Sequence, residues 1–130
     1  MTRLRTGSIL AGLTALGFLG TAVLHSTGFP AVTELAADVP SDLGPLMPAL
    51  WLVFSLDLTV LGLIIAVVTW RPAPIGRPIL AIAALSPLGT AILQLATIGF
   101  VPPTAILCGI AVLALVAAAV LPGASRPMAP

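Results

Sequence analysis

Apolar residues run almost unbroken through four stretches, 6–27, 46–70, 78–100 and 104–121, and most of the charged residues fall between them or at the chain's ends. A helix rises about 1.5 Å per residue and a hydrocarbon core is about 30 Å thick, so each stretch suits a transmembrane helix. The breaks between them carry helix-ending chemistry. Gly28-Phe-Pro30 closes the first stretch, where Gly28 suits a left-handed cap and Pro30 cannot continue a helix. Residues 31–45 form the only long polar connection and hold Glu34, Asp38 and Asp42. Within it, 31–38 is expected to make a short interfacial helical turn. Ser41 or Asp42 is expected to cap the second span, with Pro45 in its first turn and Pro48 either in that turn or kinking it.

Residues 71–78 read as a tight basic turn in which Pro78 opens the third span. Inside that span, Ser86-Pro87 predicts a bend, because proline removes a backbone donor. The span ends at Gly99-Phe-Val-Pro102, which echoes Gly28-Phe-Pro30; both ends need a glycine cap, an interfacial aromatic and a proline stop. The tail, 122–130, is expected to be disordered.

The pattern therefore predicts an all-α fold, an antiparallel four-helix transmembrane bundle in one domain. Composition agrees, with 59% hydrophobic and 7% charged residues, against about 25% charged in soluble domains. Charge adds an orientation. Arg3, Arg5, Arg71, Arg77 and Arg126 fall on one side of a four-span chain, and Glu34, Asp38 and Asp42 on the other. The positive-inside rule then places both termini in the cytoplasm and the 28–45 loop outside it. Five arginines without lysine, with abundant alanine and proline, are associated with a bacterial origin, hence a bacterial inner (plasma) membrane. The first stretch is read as a retained span, since its apolar part exceeds a signal core of about 7–15 residues and no small-x-small cleavage site follows at once.

One residue breaks the apolar pattern within a span. Asp57 lies about 14 Å from the Pro48 end of its helix, near the bilayer midplane. Insertion scales charge about 2.5–3.5 kcal/mol for an acid there, which makes Asp57 a candidate proton-binding residue. Polar and small residues recur at helical spacing around it: Thr14, Gly17, Thr21 and His25 in the first span, Trp51, Ser55, Thr59 and Gly62 in the second, and Ser86, Thr90, Gln94 and Thr97 in the third. Such stripes mark where helices meet in lipid. Ser55, Thr90, Gln94 and Thr14 are the candidate partners for Asp57. His25, near the outer boundary, either caps its helix end or joins Trp51 and Ser55 in an outward-facing cavity with Asp57 at the floor. Cys108 reads as an inert core thiol.

Other chemistry is missing. There is no phosphate-binding loop, dinucleotide fingerprint, metalloprotease helix or paired-cysteine motif. No cofactor and no metal is expected. With no aromatic-interleaved basic patch, nucleic acid is excluded as a partner. The expected partners are the lipid bilayer and a second copy or another membrane protein.

The histidine at the outer end of the first span, the polar loop, and a second span opening with Ala49-Leu-Trp51 and carrying Ser55 resemble a set of small bacterial four-span membrane proteins of unassigned activity. The resemblance covers mainly residues 24–62. Members often place a polar residue after the tryptophan, where this chain has Leu52. The resemblance implies a fold and a location and no chemistry. The leading functional expectation is accordingly a non-enzymatic accessory or self-associating membrane protein. The alternatives are a proton-coupled small-molecule transporter using Asp57, and a membrane-embedded enzyme on a lipid-like substrate with Asp57 as acid and His25 or Gln94 assisting.

Overall fold

A computed structural model describes residues 2–39, 43–70 and 75–121. The expected cap at Ser41 or Asp42, part of the basic turn and the tail lie outside the described residues. Six helices follow in order: α1 (Thr2–Ser26), α2 (Phe29–Ala37), α3 (Leu46–Trp70), α4 (Gly76–Ala83), α5 (Leu85–Thr97) and α6 (Pro102–Val120), with no strand among the described residues. Four helical segments are long and apolar enough to cross a membrane: Arg5–Ala37, Leu46–Trp70, Gly76–Thr97 and Pro102–Val120. Their exposed surfaces are rich in leucine, isoleucine and valine, as a lipid-facing surface requires.

Two of the four are interrupted by proline. Gly28 is right-handed, with φ −78° and ψ −8°, and does not form the expected left-handed cap. The chain passes at once into α2, whose first turn accepts Pro30 because the orphan donors there have no partner to lose. Residues 31–37 are thus helix, where a short helical turn over 31–38 is expected, and 43–45 form a turn. In the third segment the break falls at Ala84, not at Ser86-Pro87. Proline lacks the donor that would reach the carbonyl four residues back, so Pro87 loosens the helix one turn earlier. The ladder closes around the break through Ala84 N–H to Leu80 O at 3.1 Å and Leu88 N–H to Ala84 O at 3.2 Å. Gly99, with φ +82°, does take the left-handed conformation expected at the end of α5. Pro48 sits in the first turn of α3, which runs unbroken to Trp70.

The core forms where small residues let helices approach. Ala11, Thr14, Ala15, Phe18 and Ala22 of α1 are buried, as are Leu58 and Ile65 of α3 and Ala111, Ala114 and Ala117 of α6. Alanine and glycine shorten the distance between backbones, and dispersion contacts then hold helices that gain no hydrophobic drive from lipid. A methyl group on Gly62 would lie 2.8 Å from Leu19 Cγ and 3.2 Å from Phe18 Cβ, and one on Gly17 would lie 3.3 Å from Ile110 Cγ1. At the Arg5 end, Leu121 packs over Gly7, and Arg77 donates from Nε to Ala118 O at 3.0 Å. That bond places a cation on the last turn of α6, where the helix dipole favours it.

The polar stripes behave differently from the glycines within them. Thr14, Thr59, Thr90 and Thr97 each donate to the carbonyl four residues earlier in their own helix, at 2.8 to 3.0 Å. The hydroxyls are satisfied locally and tie no helices together.

Candidate functional site

A cavity of about 190 Å³ opens at the end of the bundle where α1 finishes and α3 and α6 begin. Its walls come from four helices and from the Thr27 and Gly28 junction. Each wall is held by a specific contact. Trp51, in the second turn of α3, donates from its indole Nε1 to the carbonyl of His25 at 2.7 Å. Its ring stacks on the His25 imidazole at 3.9 Å between centroids and 16° between planes. Phe54, about one turn further along α3, also meets that imidazole, edge-on at 4.9 Å between centroids. Ser55 completes the clamp, with its Oγ 2.9 Å from His25 Nδ1. Trp51, Phe54 and Ser55 share one helical face because they are spaced three and four residues apart.

Gly28 is what allows Trp51 to sit there. A methyl group on Gly28 would lie 2.7 Å from Trp51 Cζ2, closer than side-chain carbons approach. The glycine is needed for a close approach and not for a left-handed turn.

The opposite wall is built on Gln94 of α5. Its Oε1 accepts from the hydroxyl of Thr104 at 2.7 Å, and Thr104, fully buried in the first turn of α6, also receives the Val101 N–H at 3.4 Å. The side chain of Gln94 is therefore fixed by the helix that follows it. Thr104→Val keeps the shape and removes the donor, leaving Oε1 of Gln94 unpaired. The variant is expected to unfold about 1–2 kcal/mol more easily in detergent, read by circular dichroism, whereas Thr97→Val on the exposed face of α5 changes little.

Of the six residues singled out from the sequence, His25, Trp51 and Gln94 line this cavity, and Ser55 supports it through His25. Thr90 is half-buried and bonds back to Ser86 O at 3.0 Å, away from the cavity. Asp57 stands apart. Ser55 is buried and Asp57 exposed, because successive residues turn about 100° around a helix and two steps carry the side chain nearly to the far side. The carboxylate does not form the floor of the His25 cavity, and no described residue hydrogen-bonds to it; Ser55, Thr14, Thr90 and Gln94 all make their bonds elsewhere. Cys108 is half-buried and free. No group of three or more metal-ligating side chains gathers among the described residues.

Phe54 and Thr104 belong to the site without standing out in the sequence, and Gly28 stands out there only as a helix cap. Phe54 carried a signal in its three-residue spacing from Trp51. Thr104 carried none, since its role depends on how α6 returns against α5. No protein-family model matches the chain, and comparison with curated proteins and with solved structures returned no match.

Proposed function

We propose that this chain is a small multi-pass membrane protein that self-associates through the face of α3 bearing Asp57. The observation that carries the reading is the exposure of an acid near the middle of a membrane-length helix, unbonded among the described residues. A carboxyl facing hydrocarbon costs about 2.5–3.5 kcal/mol, and intramembrane acids face a protein interior for that reason. The arginines within the membrane-length segments, Arg5 and Arg77, stand at the segments' ends and not at the depth of Asp57. A second copy related by a two-fold axis along the membrane normal brings its own Asp57 to the same depth, where the two carboxyls can share a proton in a hydrogen bond. Leu50, Val53, Val60, Ile64 and Val67 are exposed on α3. Together with Asp57 they are spaced alternately three and four residues apart, the repeat of a coiled-coil seam with one polar position fixing register.

The bundle in this reading is antiparallel. Its support is that contacts between α1 and α3 pair rising with falling numbers: Gly12 with Thr69, Leu19 with Gly62 and His25 with Ser55. Arg5 and Arg77 then share one end while Glu34 and Asp38 share the other. Such a separation favours cytoplasmic termini and an outward-facing α2, and the arginine-only, alanine- and proline-rich composition is the support for a bacterial inner membrane.

Sedimentation equilibrium in mild detergent tests the association. The parent protein is expected to be dimeric and Asp57→Asn to remain so, since an amide can still pair across the axis. Asp57→Leu is expected to weaken the dimer about tenfold, the scale of an interhelical hydrogen bond in lipid. A monomeric parent protein, or an Asp57→Leu variant that dimerises as tightly as the parent, would overturn the reading.

A further inference from the structure

We propose that the groove between α4 and α6 binds one anionic phospholipid, its headgroup phosphate on the Arg77 guanidinium and the upper part of an acyl chain along the alanines below. This goes beyond the association through α3 and uses none of the Asp57 face. The groove is an open hollow of about 330 Å³, lined by Arg77, Pro78 and Ala81 of α4 and by Leu115, Ala118 and Ala119 of α6. Alanine makes the hollow: Ala118 is buried, Ala81 half-buried and Ala119 exposed, and none reaches far enough to fill it. Its two ends differ in depth. Arg77 is one residue inside the segment Gly76–Thr97, and Ala118 is two residues from the end of Pro102–Val120. Ala81 and Leu115 lie four and three residues further in, roughly 5–6 Å deeper. The groove thus leads from the membrane boundary, where phosphates lie, into the hydrocarbon.

Arg77 is held there for a reason written in the sequence. In a helix Ala118 O would accept from the N–H four residues on, and position 122 is a proline, which has none. Arg77 Nε–H takes that place at 3.0 Å. A guanidinium has five N–H groups in a rigid fork, and Nε supplies only one of them. With Nε spent on the carbonyl, the edge formed by the two Nη groups stays whole, and that edge can hold two oxygens of one phosphate. Arg77 is exposed, and no acid pairs with it among the described residues. Glu34 and Asp38 are on or beside α2, which follows the opposite end of α1. A cation at the mouth of an apolar groove between helices matches an anionic headgroup that brings its own hydrocarbon. Free phosphate would leave the alanines uncovered, and phosphatidylcholine brings an ammonium that offsets its phosphate.

Native mass spectrometry of the full chain in maltoside detergent counts bound lipid directly. One molecule of palmitoyl-oleoyl phosphatidylglycerol per chain is expected to bind about tenfold more tightly than phosphatidylcholine with the same acyl chains. Arg77→Gln is expected to remove that preference, and Arg77→Lys, which keeps the charge without the fork, to retain part of it. Arg5→Gln removes an equal charge from an exposed position and is expected to change nothing. Ala119→Phe fills the groove with the guanidinium in place and is expected to weaken the phosphatidylglycerol about tenfold, while inorganic phosphate in large excess is expected not to displace it. Equal binding of the two lipids, or equal losses in Arg77→Gln and Arg5→Gln, would overturn the site in favour of general charge attraction. Displacement by phosphate, or unchanged binding in Ale119→Phe's place at the groove, would overturn the acyl-chain contact. A lipid-free dimer that Ala119→Phe converts to monomer would give the groove to a second copy. Ala119 is exposed and its side chain takes no part in the Arg77 bond, so its arm stands even where Arg77→Gln fails to fold.

Discussion

Replacing Gly62 with valine is expected to destabilise the protein by about 3 kcal/mol, the upper range for overpacking a filled core, and to separate α1 from α3. The position is buried in the middle of α3, and even a single methyl group there would fall 2.8 Å from Leu19 Cγ, 2.9 Å from Leu19 Cδ2 and 3.2 Å from Phe18 Cβ. Leu19 is half-buried and can swing aside, but Phe18 is fully buried and has nowhere to go. Valine places two further carbons in the same gap, so α1 itself must shift. Gly62→Ala should fall between the parent and the valine variant. Alanine gains about 1 kcal/mol in helix propensity and loses a comparable amount by displacing Leu19. Gly20→Ala and Gly89→Ala are the controls, since nothing lies within 4 Å of a methyl group at either; both are expected to be neutral or slightly stabilising. Thermal unfolding of the four variants in one detergent checks the series. Equal stability of Gly62→Val and Gly20→Ala would show that the α1–α3 contact does not limit stability.

Trp51→Ala is expected to cost about 3–5 kcal/mol, the usual range for removing a packed aromatic ring. Three contacts go at once: the stack on His25, the indole N–H bond to His25 O, and the packing against Gly28. Trp51→Phe retains most of the stack and loses only the donor. That carbonyl keeps the Gly28 N–H at 3.1 Å, so the phenylalanine variant should lose about 1 kcal/mol. The geometry also predicts a coupling. Gly28→Ala is expected to destabilise the parent protein, because its methyl group would stand 2.7 Å from Trp51 Cζ2, and to be harmless once Trp51 is alanine. A double-mutant cycle over these two positions reads that interaction directly. Additive effects would mean that the tryptophan does not rest on the glycine.

The position of Asp57 shows how far a helical pattern can be read and where it stops. Its depth follows from counting along an apolar run, and depth alone marks it as costly. Its direction does not follow. Trp51, Ser55 and Gly62 lie on one line of α3, and Asp57 lies well around from that line, but only the packing of α1 against Ser55 and Gly62 decides that this line faces inward and leaves the acid outside. Asp57 is thus on the helix that walls the His25 cavity but on a different face of it. The two proline segments teach a related lesson. Proline at position 30 or 87 announces an interruption, while the place of the interruption depends on which carbonyl loses its donor and on whether the chain can restart a helix at once.

The amino-acid sequence by itself determined that the chain is helical, that four segments have the length and apolarity to cross a membrane, and that its arginines and acids alternate between the breaks. These are local properties: propensity, hydrophobicity and the 1.5 Å rise of a helix act on each segment whatever surrounds it. The tertiary structure alone decided which side of each helix is buried, that Thr104 of α6 fixes Gln94 of α5, and that His25 is clamped by Trp51, Phe54 and Ser55. In a chain this uniformly apolar, hydrophobicity does not distinguish an inner face from an outer one. The choice is made by shape, by which glycines and alanines let two backbones close on each other, and that is a property of pairs of helices which no single segment contains.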